Sequence, residues 1–152
     1  MREGRRGDEE RERVVDGVLA ALQQAKQEGR VRFIGDPLTR IAEDHLRILR
    51  FLRFSARFAP ELDAEGLAAC SARANDLMAL SRERIRDELL KLLALPSPGP
   101  TVSAMLAHGI LAPVLPEIEA ARLPALQQLV AAESMARVEA DGLRRLAALL
   151  PT

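Results

Sequence analysis

Arg32-Phe33-Ile34-Gly35-Asp36-Pro37-Leu38-Thr39-Arg40-Ile41-Ala42-Glu43-Asp44-His45-Leu46-Arg47-Ile48-Leu49-Arg50-Phe51-Leu52-Arg53-Phe54-Ser55-Ala56-Arg57-Phe58 decides the fold. Its opening, Val31 to Ile34, is a short β-branched and aromatic run closed by Gly35, the pattern of at most one brief strand. Asp36 suits a helix N-cap, and Pro37 suits the first helical position, where its missing N–H would have had no partner. A second helix start is expected at Glu43-Asp44, where two acids would sit at the positive end of the next helix. On a wheel of about 100° per residue, Ile48, Leu49, Leu52 and Ala56 share one side of the run over 44–58. Phe51, Phe54 and Phe58 share another, with Arg47 among them. Arg50, Arg53 and Arg57 line what remains, the only stripe suited to solvent or phosphate. A helix apolar over so much of its circumference is covered on two sides. Periodicity by itself fits the central helix of an all-α domain.

Outward from this stretch, the totals set bounds. The chain has 152 residues, enough for one domain with a real core or parts of two. Aromatic content is 3%, with no Trp or Tyr, so the core is aliphatic. Net charge is zero, which by itself makes no case for a polyanionic partner. Of the 22 basic residues only Lys26 and Lys91 are lysine, a bias that suits phosphate and base contacts and also follows from GC-rich coding. Charge is more informative locally: residues 30–58 hold seven arginines against Asp36, Glu43 and Asp44. Cys70 is the single cysteine and His45 and His108 the only histidines, so neither a disulfide framework nor a zinc cluster is expected. No apolar run of about 18 residues appears, and the charged N-terminus lacks a secretory pattern, so no membrane partner is expected and the cytoplasm is the default location.

Residues 1–13 mix both charge signs, and Val14, Val18, Leu19, Leu22 and Ala25 recur at helical spacing before Gly29. After Pro60, a helix capped by Asp63 is expected to run to about Ala79, with Leu67, Cys70, Ala74, Leu77 and Met78 inward. Ser81 caps the following helix, whose apolar stripe is Ile85, Leu89, Leu92 and Leu93. Pro96-Ser97-Pro98-Gly99-Pro100 reads as a linker. A short helix over 101–108 with Gly109 as its cap, then helices over 123–134 and 136–150, complete an all-α, multi-helix array. The expected divisions are a charged lead-in and amphipathic helix over 1–29, a neck over 30–95 and a partial helical body over 96–152.

Specific residues add a resemblance. Ile34-Gly35-Asp36-Pro37, Arg40-Ile41, Glu43-Asp44-x-x-Arg47-Ile48-Leu49-Arg50 and Arg53-Phe54, followed by Ser81-x-Glu83-Arg84-Ile85-x-x-Glu88-Leu89-x-Lys91-Leu92-Leu93, resemble the neck of the class II nucleotidyltransferases. These are the bacterial CCA-adding tRNA nucleotidyltransferases and their poly(A) polymerase relatives. The resemblance implies that Asp44 and Arg47 read the base of incoming CTP or ATP in place of a template. Nucleotide-binding roles are also expected for Glu43, Arg40, Arg50 and Arg84, and RNA-binding roles for Arg53 and Arg57, with the tRNA 3′ end as a partner. The chemistry is consistent. An ionised Asp accepts hydrogen bonds and Arg donates them, matching the amino donor and ring-nitrogen acceptor of cytosine and adenine. Uracil and guanine present the reverse pattern, a mispairing of about 1–3 kcal/mol per buried group. Three residues apart on one helix, the pair would face one way. Without the resemblance, the spacing reads as an ordinary intrahelical ion pair worth about 0.3–0.5 kcal/mol. Glu43 is better placed to orient Arg47 than to touch the base, and Arg84 could reach the Asp44 helix or a triphosphate. His45 departs from the family, where proline is usual.

The family's head domain, which holds Mg2+ on an Asp-x-Asp motif after a Gly-Gly loop, has no counterpart here, so no catalytic residue, metal ligand or resident cofactor is expected in this chain. Asp63-Ala64-Glu65 has a similar spacing but reads as a helix cap. The expectation is therefore a truncated neck and body, inactive alone and partnered by tRNA, CTP or ATP and a separately encoded head. A poly(A) polymerase fragment, or a stand-alone helical RNA-binding or structural module, is the alternative.

Overall fold

The computed structural model describes residues 31–59 and 61–151; the lead-in and amphipathic helix expected over 1–29, and the break at Pro60, lie outside them. The described residues are all-α. Helices α1 (Pro37–Glu43), α2 (Arg47–Phe58) and α3 (Ala64–Ala72) lead through a 3-10 helix at Ala74–Ala79 to α4 (Arg82–Leu93). Helix α5 (Gly99–Ala107), a 3-10 turn at Ala120–Arg122, α6 (Leu123–Ala136) and α7 (Gly142–Leu149) follow.

Local chemistry sets these boundaries. Asp36 accepts from the Thr39 N–H at 3.0 Å and from its hydroxyl at 2.7 Å, with Pro37 in the first turn of α1. Asp63 accepts from the Gly66 N–H to start α3, Ser81 from the Arg84 N–H to start α4, and Asp141 from Leu143 and Arg144 to start α7. At the end of α5, Gly109 takes φ +69°, while the Gly109 and Ile110 N–H groups donate to Leu106 and Met105 carbonyls. These two bonds form a Schellman cap that only a residue without Cβ enters freely. Arg137 ends α6 in the same way at φ 56°, its N–H and that of Val138 donating to Ser134 and Glu133.

Several sequence expectations are corrected here. No strand forms among the described residues: 31–34 has no neighbouring strand to pair with, and Phe33 instead stacks on Phe51, ring centroids 4.8 Å apart and planes 20° apart. The helix expected over 63–79 breaks at Arg73 and continues as 3-10 turns, which rotate Met78 outward to 64% exposure. The last helix begins at Gly142, because the left-handed Arg137 ends α6 and Asp141 supplies the new cap.

One apolar cluster runs from Ile41 to Leu149. Helix α2 contributes Ile48, Leu49, Phe51 and Leu52, all nearly inaccessible, each worth roughly 1.5–3 kcal/mol on burial. Helix α4 is the axle of the array, packed on α2 along one side and on α7 along another. The Pro96–Pro100 corner is folded into this packing, with Pro98 buried and α5 starting at Gly99. Gly66 lets α3 approach the Phe51 ring: a Cβ there would lie 2.6 Å from Cζ. Together these contacts fix the start of α2 relative to α1 and α4, where the candidate site lies.

Candidate nucleotide-recognition site

The site forms because α1 and α2 are separate helices. Glu43 ends α1, and Asp44 follows in extended conformation at φ −155° and ψ 109°. Its Oδ1 accepts from the Leu46 N–H at 3.0 Å and its carbonyl from the Arg47 N–H, so Asp44 caps the turn that enters α2. Asp44 and Arg47 therefore do not share one helix, as their spacing had suggested. The bend puts the carboxylate at the seam and leaves Arg47 in the first turn. His45 lies in the same seam, its Nε2 3.6 Å from the Asp76 carboxylate on the 3-10 helix.

Separate neighbours hold the two groups. Arg47 donates through Nη1 to Glu43 Oε2 at 2.6 Å and to the Arg40 carbonyl at 2.9 Å. Glu43 Oε2 also receives Arg40 Nη1 at 3.2 Å, while Arg40 Nε donates to the Ile34 carbonyl at 2.8 Å. The Arg47 hydrogen bond, then that of Arg40, holds the Glu43 carboxyl below its ordinary pKa of 4.5. Glu43 thus orients Arg47. Arg84, from the first turn of α4, reaches Asp44 Oδ2 at 3.5 Å. Among the described residues Arg47 Nε and Nη2 have no protein partner. The Asp44 and Arg47 side chains remain 30% and 37% exposed, so the acceptor and the donor carried by one turn, whose Arg47 N–H donates to the Asp44 carbonyl, are both open to solvent. Three guanidiniums, of Arg40, Arg47 and Arg84, thus meet the Glu43 and Asp44 carboxylates at this junction, with the Asp76 carboxylate at its edge beside His45.

The arginine stripe of α2 does not stay together. Arg53 Nε donates to Glu88 Oε2 at 2.6 Å and Arg50 Nε to Oε1 at 3.3 Å, forking on a carboxylate only 5% exposed. Arg53, 22% exposed, is therefore the counter-ion of a buried acid, which corrects the reading of the whole stripe as open to solvent or phosphate. Its guanidinium also lies 4.7 Å from the Phe54 ring. Arg57 remains exposed near the C-terminus of α2, 5.2 Å over Phe58. Of the residues singled out by sequence, Asp44, Arg47, Glu43, Arg40 and Arg84 meet at one junction; Arg50 and Arg53 join α2 to α4, and Arg57 stands apart.

Two features gave no readable signal in sequence. Glu133 is buried on α6 between Arg145 Nε at 2.9 Å and Arg144 Nη1 at 2.8 Å, and Arg145, 3% exposed, donates onward to the Leu93 carbonyl at 2.6 Å and to that of Leu95. The partners are up to 52 residues apart, so no spacing rule connects them. The second is a cleft of about 600 Å³ lined by Leu80, Ile85, Leu89, Leu115 and Leu146, with Arg82 and Arg86. Its lining does not include the junction residues. Among the described residues no group of three His, Cys, Asp or Glu side chains could hold a metal ion, and no helix is long and apolar enough to cross a membrane. Cys70 is buried, which pushes its thiol up to about 12 and leaves it protonated at neutral pH.

Comparison with known proteins agrees on one group of enzymes. A family model described as the probable RNA and SrmB-binding site of polymerase A matches residues 60–122. The CCA-adding enzyme of Levilactobacillus brevis is 36% identical over 80 residues, 53% of this chain and 20% of that protein. The mitochondrial CCA tRNA nucleotidyltransferase 1 of Danio rerio is 46% identical over 85 residues, 52% of this chain and 20% of its own length. The multifunctional CCA protein of Alkalilimnicola ehrlichii is 35% identical over 112 residues, 70% of this chain and 27% of its own. The matched stretch thus spans a fifth to about a quarter of these relatives.

Proposed function

We propose, for a chain that carries a partial region of the CCA-adding and poly(A) polymerase family, that its α1–α2 junction reads the base of an incoming CTP or ATP while its helical remainder contributes to holding tRNA. The observation that carries this reading is the open juxtaposition of Asp44 and Arg47, each positioned by a different neighbour and neither neutralising the other. An acceptor beside a donor complements the pairing edge of cytosine or adenine and opposes that of uracil or guanine. Selectivity then comes from leaving a polar group unpaired when the wrong base enters. Arg40 and Glu43 keep Arg47 in place, and Glu88, through Arg50 and Arg53, ties α2 to α4 so that the junction keeps its shape. Exposed Arg57 is suited to an RNA phosphate.

Nucleotidyl transfer needs paired carboxylates holding Mg2+, and those belong in this reading to a head domain outside the described residues. The proposed role is recognition, with the covalent step supplied by the head. The test is reconstitution: the 152-residue chain alone adds no CMP or AMP to a tRNA lacking its 3′ end, and supplying a family head domain in trans restores addition. Addition by the chain alone would reject the division of labour. A second reading is favoured by where the family model falls, since residues 60–122 include α3 and α4 but not α1 or α2. In that reading the chain binds RNA without selecting a base. Salt-sensitive tRNA binding indifferent to Asp44→Ala would favour it over base reading.

A further inference from the structure

We propose that Arg84 is an exchangeable counter-ion of the base-reading carboxylate, resting on Asp44 Oδ2 in the absence of ligand and moving to the ligand's phosphates when a base amino group takes that oxygen. This rests on the base-reading role of Asp44. The two oxygens of Asp44 are unequal. Oδ1 is bound to the Leu46 N–H at 3.0 Å, a backbone bond that orients the carboxylate as part of the helix start. Among the described residues Oδ2 receives only Arg84 Nη2, at 3.5 Å, the outer limit of a hydrogen bond. Because the cap already fixes the carboxylate, Arg84 is not needed to aim it. What Arg84 supplies is charge.

An uncompensated Asp44 would repel a nucleoside triphosphate arriving at the same place, and the cation beside it removes that repulsion. Arg84 can then let go at little cost, since its side chain is 48% exposed and loosely paired. The Ser81 cap on the Arg84 backbone N–H holds the start of α4 while the side chain moves. Arg47 has no such freedom: its Nη1 is committed twice, and Nε and Nη2 are left without a protein partner among the described residues. Arg47 Nε and Nη2 and Asp44 Oδ2 are thus the atoms left to meet a base, and the last becomes fully available only when Arg84 withdraws.

The two contributions separate by ligand charge. In NMR titrations of the 152-residue chain, Arg84→Met lowers affinity for CTP roughly two- to five-fold, the range of an exposed charge pair, while affinity for uncharged cytidine holds or rises. Arg84→Lys, which keeps the cation, recovers CTP binding. Equal losses for CTP and cytidine would mean that Arg84 merely aims Asp44, and no change for either would make it an ordinary surface arginine. Both results overturn the exchange. The base-reading role is judged separately by the unmodified chain: if it does not prefer cytidine to uridine, that role fails and the exchange falls with it.

Discussion

Asp44 divides its tasks between its oxygens, and Glu133 does the same in the interior. One Glu133 oxygen meets Arg145 and the other Arg144, but only Arg145 is buried and goes on to two backbone carbonyls at the end of α4. Removing a partner from such a network leaves a buried charge and stranded carbonyls; removing a half-exposed partner does not. Arg145→Met should therefore lower the melting temperature several times more than Arg144→Met. Acid adds a second signature. The Arg145 hydrogen bond is the largest influence holding the Glu133 carboxyl below its ordinary 4.5. As pH falls, the unfolded chain takes up the proton first, so this stabilisation is complete above about 4.5 and disappears as pH drops through the folded value. The difference between wild type and Arg145→Met, measured by thermal unfolding, should stay constant from pH 7 to about pH 5 and narrow below. A difference unchanged by acid would contradict the pairing.

Among the elements, the seam between α4 and α7 has the least room. A Cβ on Gly142 would collide with the Leu90 carbonyl, a backbone atom that cannot turn aside. Gly142→Ala should cost about 1–3 kcal/mol in urea unfolding despite alanine's better helix propensity, whereas Leu143→Ala, at an exposed neighbour, should stay within about 0.5 kcal/mol. Where the chain speaks through local chemistry, its elements could be read: Asp36-Pro37, Asp63, Ser81 and Gly109 each mark a boundary that the folded chain uses. The reading erred where tertiary packing chooses. Residues 31–34 have strand composition but no strand beside them, and the 3-10 turns after Arg73 bury Ala74 and Leu77 and leave Met78 outside. The junction itself was half legible. Glu43, Asp44, Arg47 and Arg84 could be picked out as chemistry, but the break placing Asp44 between helices followed from its side chain capping the next turn. Glu88 could not be foreseen as the shared partner of Arg50 and Arg53, since the contact joins residues 35 and 38 apart.

At the scale of the whole molecule, one apolar cluster from Ile41 to Leu149 supports a polar seam at the α1–α2 junction. Among the described residues two acids are buried, Glu88 tying α2 to α4 and Glu133 tying α6 to α7. This division suits a recognition element: the recognising groups stay accessible while the helices that carry them are fixed by a dry apolar core, so a ligand meets a prearranged pair rather than ordering one. It also explains why Asp44→Asn is a better probe than Asp44→Ala, since Asn keeps the cap oxygen for Leu46 while replacing the charged acceptor Oδ2 with an NH2 donor that opposes a base amino group. The most direct test is an NMR titration of the 152-residue chain with CTP, ATP, UTP and GTP, repeated on Asp44→Asn. Tighter binding of CTP and ATP than of UTP and GTP, lost in Asp44→Asn with the fold intact, is the predicted result; equal binding of all four, or a preference for UTP or GTP, would contradict base reading at this junction.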